Sequence, residues 1–171
     1  MDFSEKIYLA GSNGMVGKAI KRQLITNGYG REEMGGEIFC PSSSELNLLN
    51  FKEIEDWFEV YRPTIVIIAA AKVGGILANS NYPYEFIFNN LQIQTHLIEI
   101  ARIFNVKKII FLGSSCIYPK LAEQPIKEEY LLDGHLESTN QWYAIAKIAG
   151  LKLCEAVYKQ HKINAISLMP C

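Results

Sequence analysis

Tyr143 and Lys147 stand four residues apart, about one helical turn, so a helix would carry both side chains on one face. An ammonium beside a phenol favours the ionised phenol and is expected to lower its pKa. Such a tyrosine can give and take a proton at a carbonyl near neutral pH. The spacing alone is common on helix surfaces. Its weight comes from the segments before it. One of these is Gly113-Ser114-Ser115-Cys116-Ile117-Tyr118-Pro119, with a hydroxyl and a thiol two residues apart. A thiolate near a cation can remove a proton next to a carbonyl. By chemistry alone, Cys116 fits that role and the role of a small buried residue after a strand equally well.

The second segment is Gly11, Ser12, Asn13, Gly14, Met15, Val16 and Gly17. It follows a short apolar run, residues 7–10, and opens a helical pattern over residues 15–26 that Gly28 can stop. The glycines are spaced Gly-x-x-Gly-x-x-Gly. The demand on them is a tight turn, close backbone approach to a pyrophosphate, and close helix–strand packing. The N–H groups at the start of the helix then face the phosphates.

These elements need a scaffold, and the chain supplies an alternating one. Strands are expected at residues 6–10, 37–40, 65–69, 108–112 and 165–169. Helices are expected at 14–27, from Asn50 to Pro63, from Pro83 to 104, and at 140–160. Asn50 and Glu53 have the spacing of a capping box, and Phe51, Ile54, Trp57, Phe58 and Tyr61 form an apolar stripe. Residues 70–81, rich in small side chains, read as a loop, and residues 113–136 as irregular. Ile65, Val66, Ile67 and Ile68 make a strand apolar on both faces, which suits a parallel sheet covered by helices on each side. The fold class expected is a doubly wound parallel α/β sheet of Rossmann type, filling residues 1–171 as one domain.

Composition narrows the function classes. The net charge is −1 and no basic run occurs, so nucleic acid is not an expected partner. No apolar stretch approaches the roughly 20 residues that span a bilayer. The acidic, short start does not read as a secretory signal. Cys40, Cys116, Cys154 and Cys171 lack Cys-x-x-Cys spacing, so reduced thiols, a cytoplasmic setting and no metal centre are expected.

With the glycine turn, Ser114, Tyr143 and Lys147 in this order, the chain resembles the extended short-chain dehydrogenase/reductase superfamily. Three segments narrow the resemblance to the GDP-L-fucose synthase family: residues 69–76 (Ala-Ala-Ala-Lys-Val-Gly-Gly-Ile), residues 112–120 and residues 143–150. The resemblance implies NADPH-dependent 3,5-epimerisation and 4-reduction of GDP-4-keto-6-deoxy-D-mannose. It implies that Tyr143 protonates the C4 oxygen, Ser114 hydrogen-bonds that oxygen, Lys147 holds the nicotinamide ribose, and Cys116 is an epimerisation base. Dehydratase relatives carry an Asp-Glu pair where this chain has Ser115 and Cys116. The resemblance also places Ala70, Lys72, Asn90 and Leu112 at the cofactor beside residues 11–17, and implies a homodimer through the two long helices.

Two departures stand out. The family's second acid/base is a histidine downstream of the last strand, a position this sequence does not reach; His96, His135 and His161 are not at that place. The expectation is therefore a chain that continues beyond Cys171. The second expected strand ends at Cys40-Pro41-Ser42-Ser43-Ser44, without the acid that would read an NAD ribose. NADP(H) is expected, with the serines, Arg22 or Arg31 at its extra phosphate. Two other readings stay open: another NAD(P)-dependent sugar-nucleotide epimerase or reductase, and a dinucleotide-binding chain without turnover.

Overall fold

A computed structural model describes residues 2–170. Five strands form one all-parallel sheet: β1 (Lys6–Ala10), β2 (Glu37–Phe39), β3 (Ile65–Ile68), β4 (Lys108–Leu112) and β5 (Asn164–Leu168), in the order β2-β1-β3-β4-β5. Helices α1 (Met15–Thr26), α2 (Phe51–Tyr61), α3 (Ile76–Asn81), α4 (Pro83–Ile103) and α5 (Gln141–His161) make the connections. The chain leaves β1 for one neighbour, β2, and later returns to its other side as β3. That reversal opens a crevice at the carboxyl ends of β1 and β3, where ligands bind in sheets of this kind.

The strands alternate side chains between two cores. Tyr8, Ala10, Val66, Ile68, Ile109 and Phe111 pack under α2, α4 and α5 with Ile54, Phe58, Leu97, Ile98, Ala101 and Leu151. Ile7, Leu9, Ile65 and Ile67 face the other way, against Ile20 and Leu24 of α1. Burial on both faces explains why β3 is apolar throughout. Strand β5 departs from that pattern. It sits at the sheet edge, and Ile166 and Leu168 are 40% and 48% exposed on its outer side.

Local chemistry sets the element ends. The Asn50 side chain caps α2 by accepting from the Lys52 and Glu53 amides. Glu53 does not complete a capping box: its carboxylate takes the Asn50 side-chain amide and the Asn47 N–H, because the Asn50 N–H already reaches the Asn47 carbonyl. Strand β2 stops one residue earlier than expected. The segment expected to be a loop at residues 70–81 ends in the short helix α3, capped by Gly75. Within residues 113–136, 3-10 turns form at Ser115–Ile117 and Glu128–Tyr130. Cys40, Cys116 and Cys154 are free thiols, whereas Cys171 lies outside the described residues. Among the described residues no helix is long and apolar enough to cross a membrane.

Candidate active site and dinucleotide crevice

Two of the three glycines in the first turn are required by geometry. Gly11 has φ +81°, and a Cβ there would stand 2.5 Å from the Ala70 nitrogen. At Gly17 a Cβ would overlap the Gly11 carbonyl oxygen. The turn, the start of α1 and the exit of β3 are thus packed backbone to backbone. Gly14 is different, with its nearest neighbour 3.4 Å from a built Cβ. It is the N-cap of α1, and no side chain caps that helix or places an acid in its first turn. The amides there remain available to an anion.

The crevice above this turn has a volume of about 360 Å³, within the range of small-molecule sites. Its walls include Gly11, Ser12, Asn13, Ser42, Ala70 and Lys72. A backbone cradle that a Cβ would fill, beside an uncapped helix start, fits a pyrophosphate. Met15 and Val16 belong to the first turn of α1, with side chains partly or largely exposed. Asn90 is buried, and all its polar atoms are engaged: it accepts from the Lys72 N–H at 2.8 Å and donates to the Lys72 and Phe86 carbonyls. It clamps the exit of β3 to α4, which fixes the wall that Ala70 and Lys72 present.

At the end of β2 two cations can be placed. Arg31 lies against Gly28, past the C-terminal end of α1 and away from the crevice. The Lys21 ammonium instead bears on the Cys40 thiol, although burial still dominates and pushes that thiol's pKa up. Glu45, the nearest acid in the following loop, is engaged by the Ser42 N–H and hydroxyl, each at 2.7 Å.

One strand further along, Ser114, Cys116, Asn140 and Tyr143 line a second cavity of about 220 Å³. Gly113 follows β4 with the Met169 side chain packed against it, so a Cβ there would push the Met169 sulfur aside. The chain then turns at Ser114, whose Oγ accepts from the Cys116 N–H at 3.5 Å. Helix α5 brings in Tyr143 and, one turn on, Lys147. The Lys147 Nζ donates to the Leu112 carbonyl at 2.7 Å and lies 5.7 Å from the Tyr143 ring centroid and 4.8 Å from that of Phe111.

These positions reverse the expected electrostatics of the tyrosine. Burial pushes the Tyr143 hydroxyl up to about 12; the nearby Cys116 adds to the shift and a Ser114 hydrogen bond offsets part of it. The Lys147 ammonium donates its hydrogen bond to the Leu112 carbonyl and lies over the tyrosine ring, and it does not figure among the causes of that shift. Burial likewise raises the Cys116 thiol, against lowering by Ser114 and Lys147. Lys147 itself is 3% exposed, and burial pulls its pKa from 10.5 down to about 8.

A pH dependence follows. The folded state holds the Lys147 charge at a cost of about 3 kcal/mol below pH 8, and that cost fades as pH rises from 8 through 10.5. Lys147→Met is therefore expected to look most favourable, relative to the wild type, near neutral pH. Its relative stability should fall by about 2–3 kcal/mol by pH 10. Paired urea titrations at several pH values check this; a pH-independent difference would contradict it.

Sequence reasoning missed several residues around the two cavities. Asn79 lies in the segment read as a loop, and only α3 reveals it as a buried wall of the smaller cavity. Gln94, also buried, donates to the Ala146 carbonyl and meets Gly150, locking α4 to α5 behind the Tyr143 turn. Its polar type on an otherwise apolar helix face was the available signal. Lys21 carried none, being an ordinary lysine on an amphipathic helix.

A parallel sheet with a pyrophosphate cradle at its reversal, and a phenol, a hydroxyl and a thiol around a cavity at the next strand end, defines a dinucleotide-binding domain of the epimerase/reductase class. The chain belongs to the NAD dependent epimerase/dehydratase family, which residues 7–171 match. It is 52% identical over 170 residues to putative GDP-L-fucose synthase 2 of Arabidopsis thaliana, covering 99% of this chain and 50% of that one. With the GDP-L-fucose synthase of Escherichia coli K12 the identity is 48%, over 97% of this chain and 50% of the relative. Among solved structures, a GDP-D-glycero-L-gluco-heptose synthase from Campylobacter jejuni, determined in the presence of NADPH, superposes with a TM-score of 0.91 at 35% identity, covering 99% of this chain and 48% of that one. The chain spans about half the length of the curated relatives it matches.

Proposed function

We propose that this chain carries the cofactor-binding and proton-transfer machinery of an NADPH-dependent GDP-L-fucose synthase, acting on GDP-4-keto-6-deoxy-D-mannose by epimerisation at C3 and C5 and reduction at C4. The observation that carries the reading is the convergence of Ser114, Cys116 and Tyr143 on one cavity, with Lys147 one helical turn behind. The names of the Arabidopsis and E. coli relatives support the substrate, and the NADPH of the C. jejuni structure supports the cofactor.

NADP(H), when bound, supplies hydride to the sugar carbonyl carbon. Residues 11–17 would hold its pyrophosphate through backbone amides, and Lys21 with Ser43 and Ser44 would meet the 2′-phosphate. Ala70 and Lys72 wall the crevice, and Asn90 keeps that wall in place. Lys147, anchored on the Leu112 carbonyl, would hold the ribose hydroxyls. Tyr143 gives a proton to the C4 oxygen. Its raised pKa keeps the phenol protonated at neutral pH, the form a donor needs. Ser114 holds the same oxygen by a hydrogen bond. Cys116 exchanges protons at the carbons flanking the carbonyl, with the Lys147 charge favouring its thiolate.

Pairing with a second copy through α4 and α5 fits their exposed aromatic residues: Tyr84 stacks on Phe88 at 5.1 Å, and both are solvent-facing, as is Trp142. The sedimentation mass of a monomer would contradict this. A cytoplasmic setting accords with three free thiols.

A substrate panel tests the reading. NADPH should be consumed with GDP-4-keto-6-deoxymannose, and UDP-galactose should not be converted to UDP-glucose. Consumption with a GDP-linked keto-heptose alone would favour a heptose reductase instead.

A further inference from the structure

Two side chains on the wall of the smaller cavity each carry a buried oxygen with no hydrogen-bond partner. Asn79 is 5% exposed, and its Nδ2 donates to the Gly74 and Gly75 carbonyls at 2.9 and 3.2 Å. Those two partners fix the amide's orientation, because turning it over would set its oxygen against two carbonyl oxygens. The Oδ1 atom therefore points away from that turn, where it is buried and has no protein partner.

Asn140 reaches the same cavity from α5. It occupies the N-cap, where an asparagine oxygen ordinarily accepts an amide of the first turn. Asn50 does so at α2, accepting from Lys52 and Glu53 at 3.1 and 3.3 Å. Asn140 does not: α5 has no side-chain cap, and the Asn140 Oδ1 is buried and unpaired. Both orphan oxygens thus belong to side chains that line the cavity of Ser114, Cys116 and Tyr143. Buried acceptors without donors are rare and costly, and in a site they select a ligand that supplies the donors.

We propose that Asn79 and Asn140 are specificity residues that accept hydrogen bonds from the ring hydroxyls at C3, next to the reacting C4 carbonyl, and at C2, one carbon further on. This rests on the keto-sugar reading given above. Neutral carbonyl oxygens favour hydroxyl donors and disfavour phosphate or carboxylate, so the sugar ring enters here and the diphosphate stays outside. The volume, about 220 Å³, is below that of whole-ligand pockets and suits one ring. Val73 and Phe86, on the same wall, offer an apolar surface to the methyl at C5, the side of the ring without a hydroxyl.

The test compares kcat/KM for GDP-4-keto-6-deoxymannose with its 2-deoxy and 3-deoxy analogues, in wild type, Asn140→Ala, Asn140→Asp and Asn79→Ala. NADPH titration of each variant reports that the fold is intact. Deleting one hydroxyl should lower the wild-type value by about 10–100-fold. In Asn140→Ala and Asn79→Ala the penalty for one of the two deletions should shrink to about threefold or less. Asn140→Asp keeps an acceptor and should retain discrimination. Equal losses on all three sugars, with discrimination unchanged in both alanine variants, would overturn the assignment. A wild type that binds NADPH and turns over none of the three sugars would overturn the keto-sugar reading, and this assignment with it. Should Asn79→Ala lose NADPH binding by loosening the turn at Gly74 and Gly75, the Asn140 pair decides alone.

Discussion

Tyr143→Phe is expected to lower kcat by about 10²–10⁴-fold while leaving NADPH affinity within about twofold. The substitution removes one oxygen and keeps the ring, which packs 5.7 Å from the Lys147 ammonium. Lys147 keeps its bond to the Leu112 carbonyl and its contact with Phe111, so the part of the site that meets the cofactor is undisturbed. What is lost is the proton donor. Water is a poor replacement in a cavity this small, and the Cys116 thiol is the base proposed for the flanking carbons. Ser114 remains to hold the carbonyl oxygen, which sets the residual rate. Single-turnover kinetics together with a fluorescence titration of NADPH separate the two effects. A variant that loses cofactor binding and rate in parallel would show that the phenol shapes the site and does not donate the proton.

The glycine turn carries the second large effect, and the three glycines should not behave alike. Gly17→Ala forces a methyl into the Gly11 carbonyl oxygen, a backbone atom held by its own turn. The start of α1 must move, at a cost of about 2–4 kcal/mol, which for a chain of this size lowers Tm by roughly 5–15 °C. Moving α1 also withdraws the first-turn amides from the pyrophosphate, so NADPH affinity should fall at least about 100-fold. Gly11→Ala meets the Ala70 nitrogen and a φ of +81°, and should be comparably damaging. Gly14→Ala has room, with its nearest contact at 3.4 Å and an extended backbone, and should change stability by about 1 kcal/mol or less. Thermal melts and NADPH titrations of the three variants rank them. Wild-type affinity in Gly17→Ala would remove the basis for reading this turn as a pyrophosphate cradle.

The sheet was legible in the sequence because burial on both faces leaves an unmistakable apolar run, as at Ile65 to Ile68, and because glycine at residues 11 and 17 answers a steric demand that no other residue meets. Asn50 announced its helix through cap chemistry that acts within four residues. What escaped depends on contacts far apart in the chain. Asn79 lay in a segment that read as a loop, and its burial on a wall shared with Phe86 of α4 and Asn140 appears only in the fold. Asn140 drew no notice at the start of its helix, and its unpaired oxygen sets it apart from Asn50, whose side chain caps α2. The Tyr143 expectation went wrong for a related reason. Spacing placed Lys147 on the same helix face, but it could not say that the ammonium would turn to the Leu112 carbonyl, nor that burial would outweigh charge at the phenol. At the end of β2 no arginine follows in sequence and Arg22 or Arg31 had to reach from elsewhere; Arg31 lies against Gly28, past the end of α1, and Lys21 bears on Cys40.

The most direct test of the central claim is isotopic. This chain would be incubated with NADPH deuterated at the transferable nicotinamide position and with GDP-4-keto-6-deoxymannose, and the sugar product examined by NMR and mass spectrometry. One deuterium at C4 of the product, absent when Tyr143→Phe replaces the wild type, is the result expected of a reductase built around Ser114, Tyr143 and Lys147. Bound cofactor with no deuterium delivered to any carbon of the sugar would contradict it, and would leave the chain a dinucleotide-binding domain without hydride transfer.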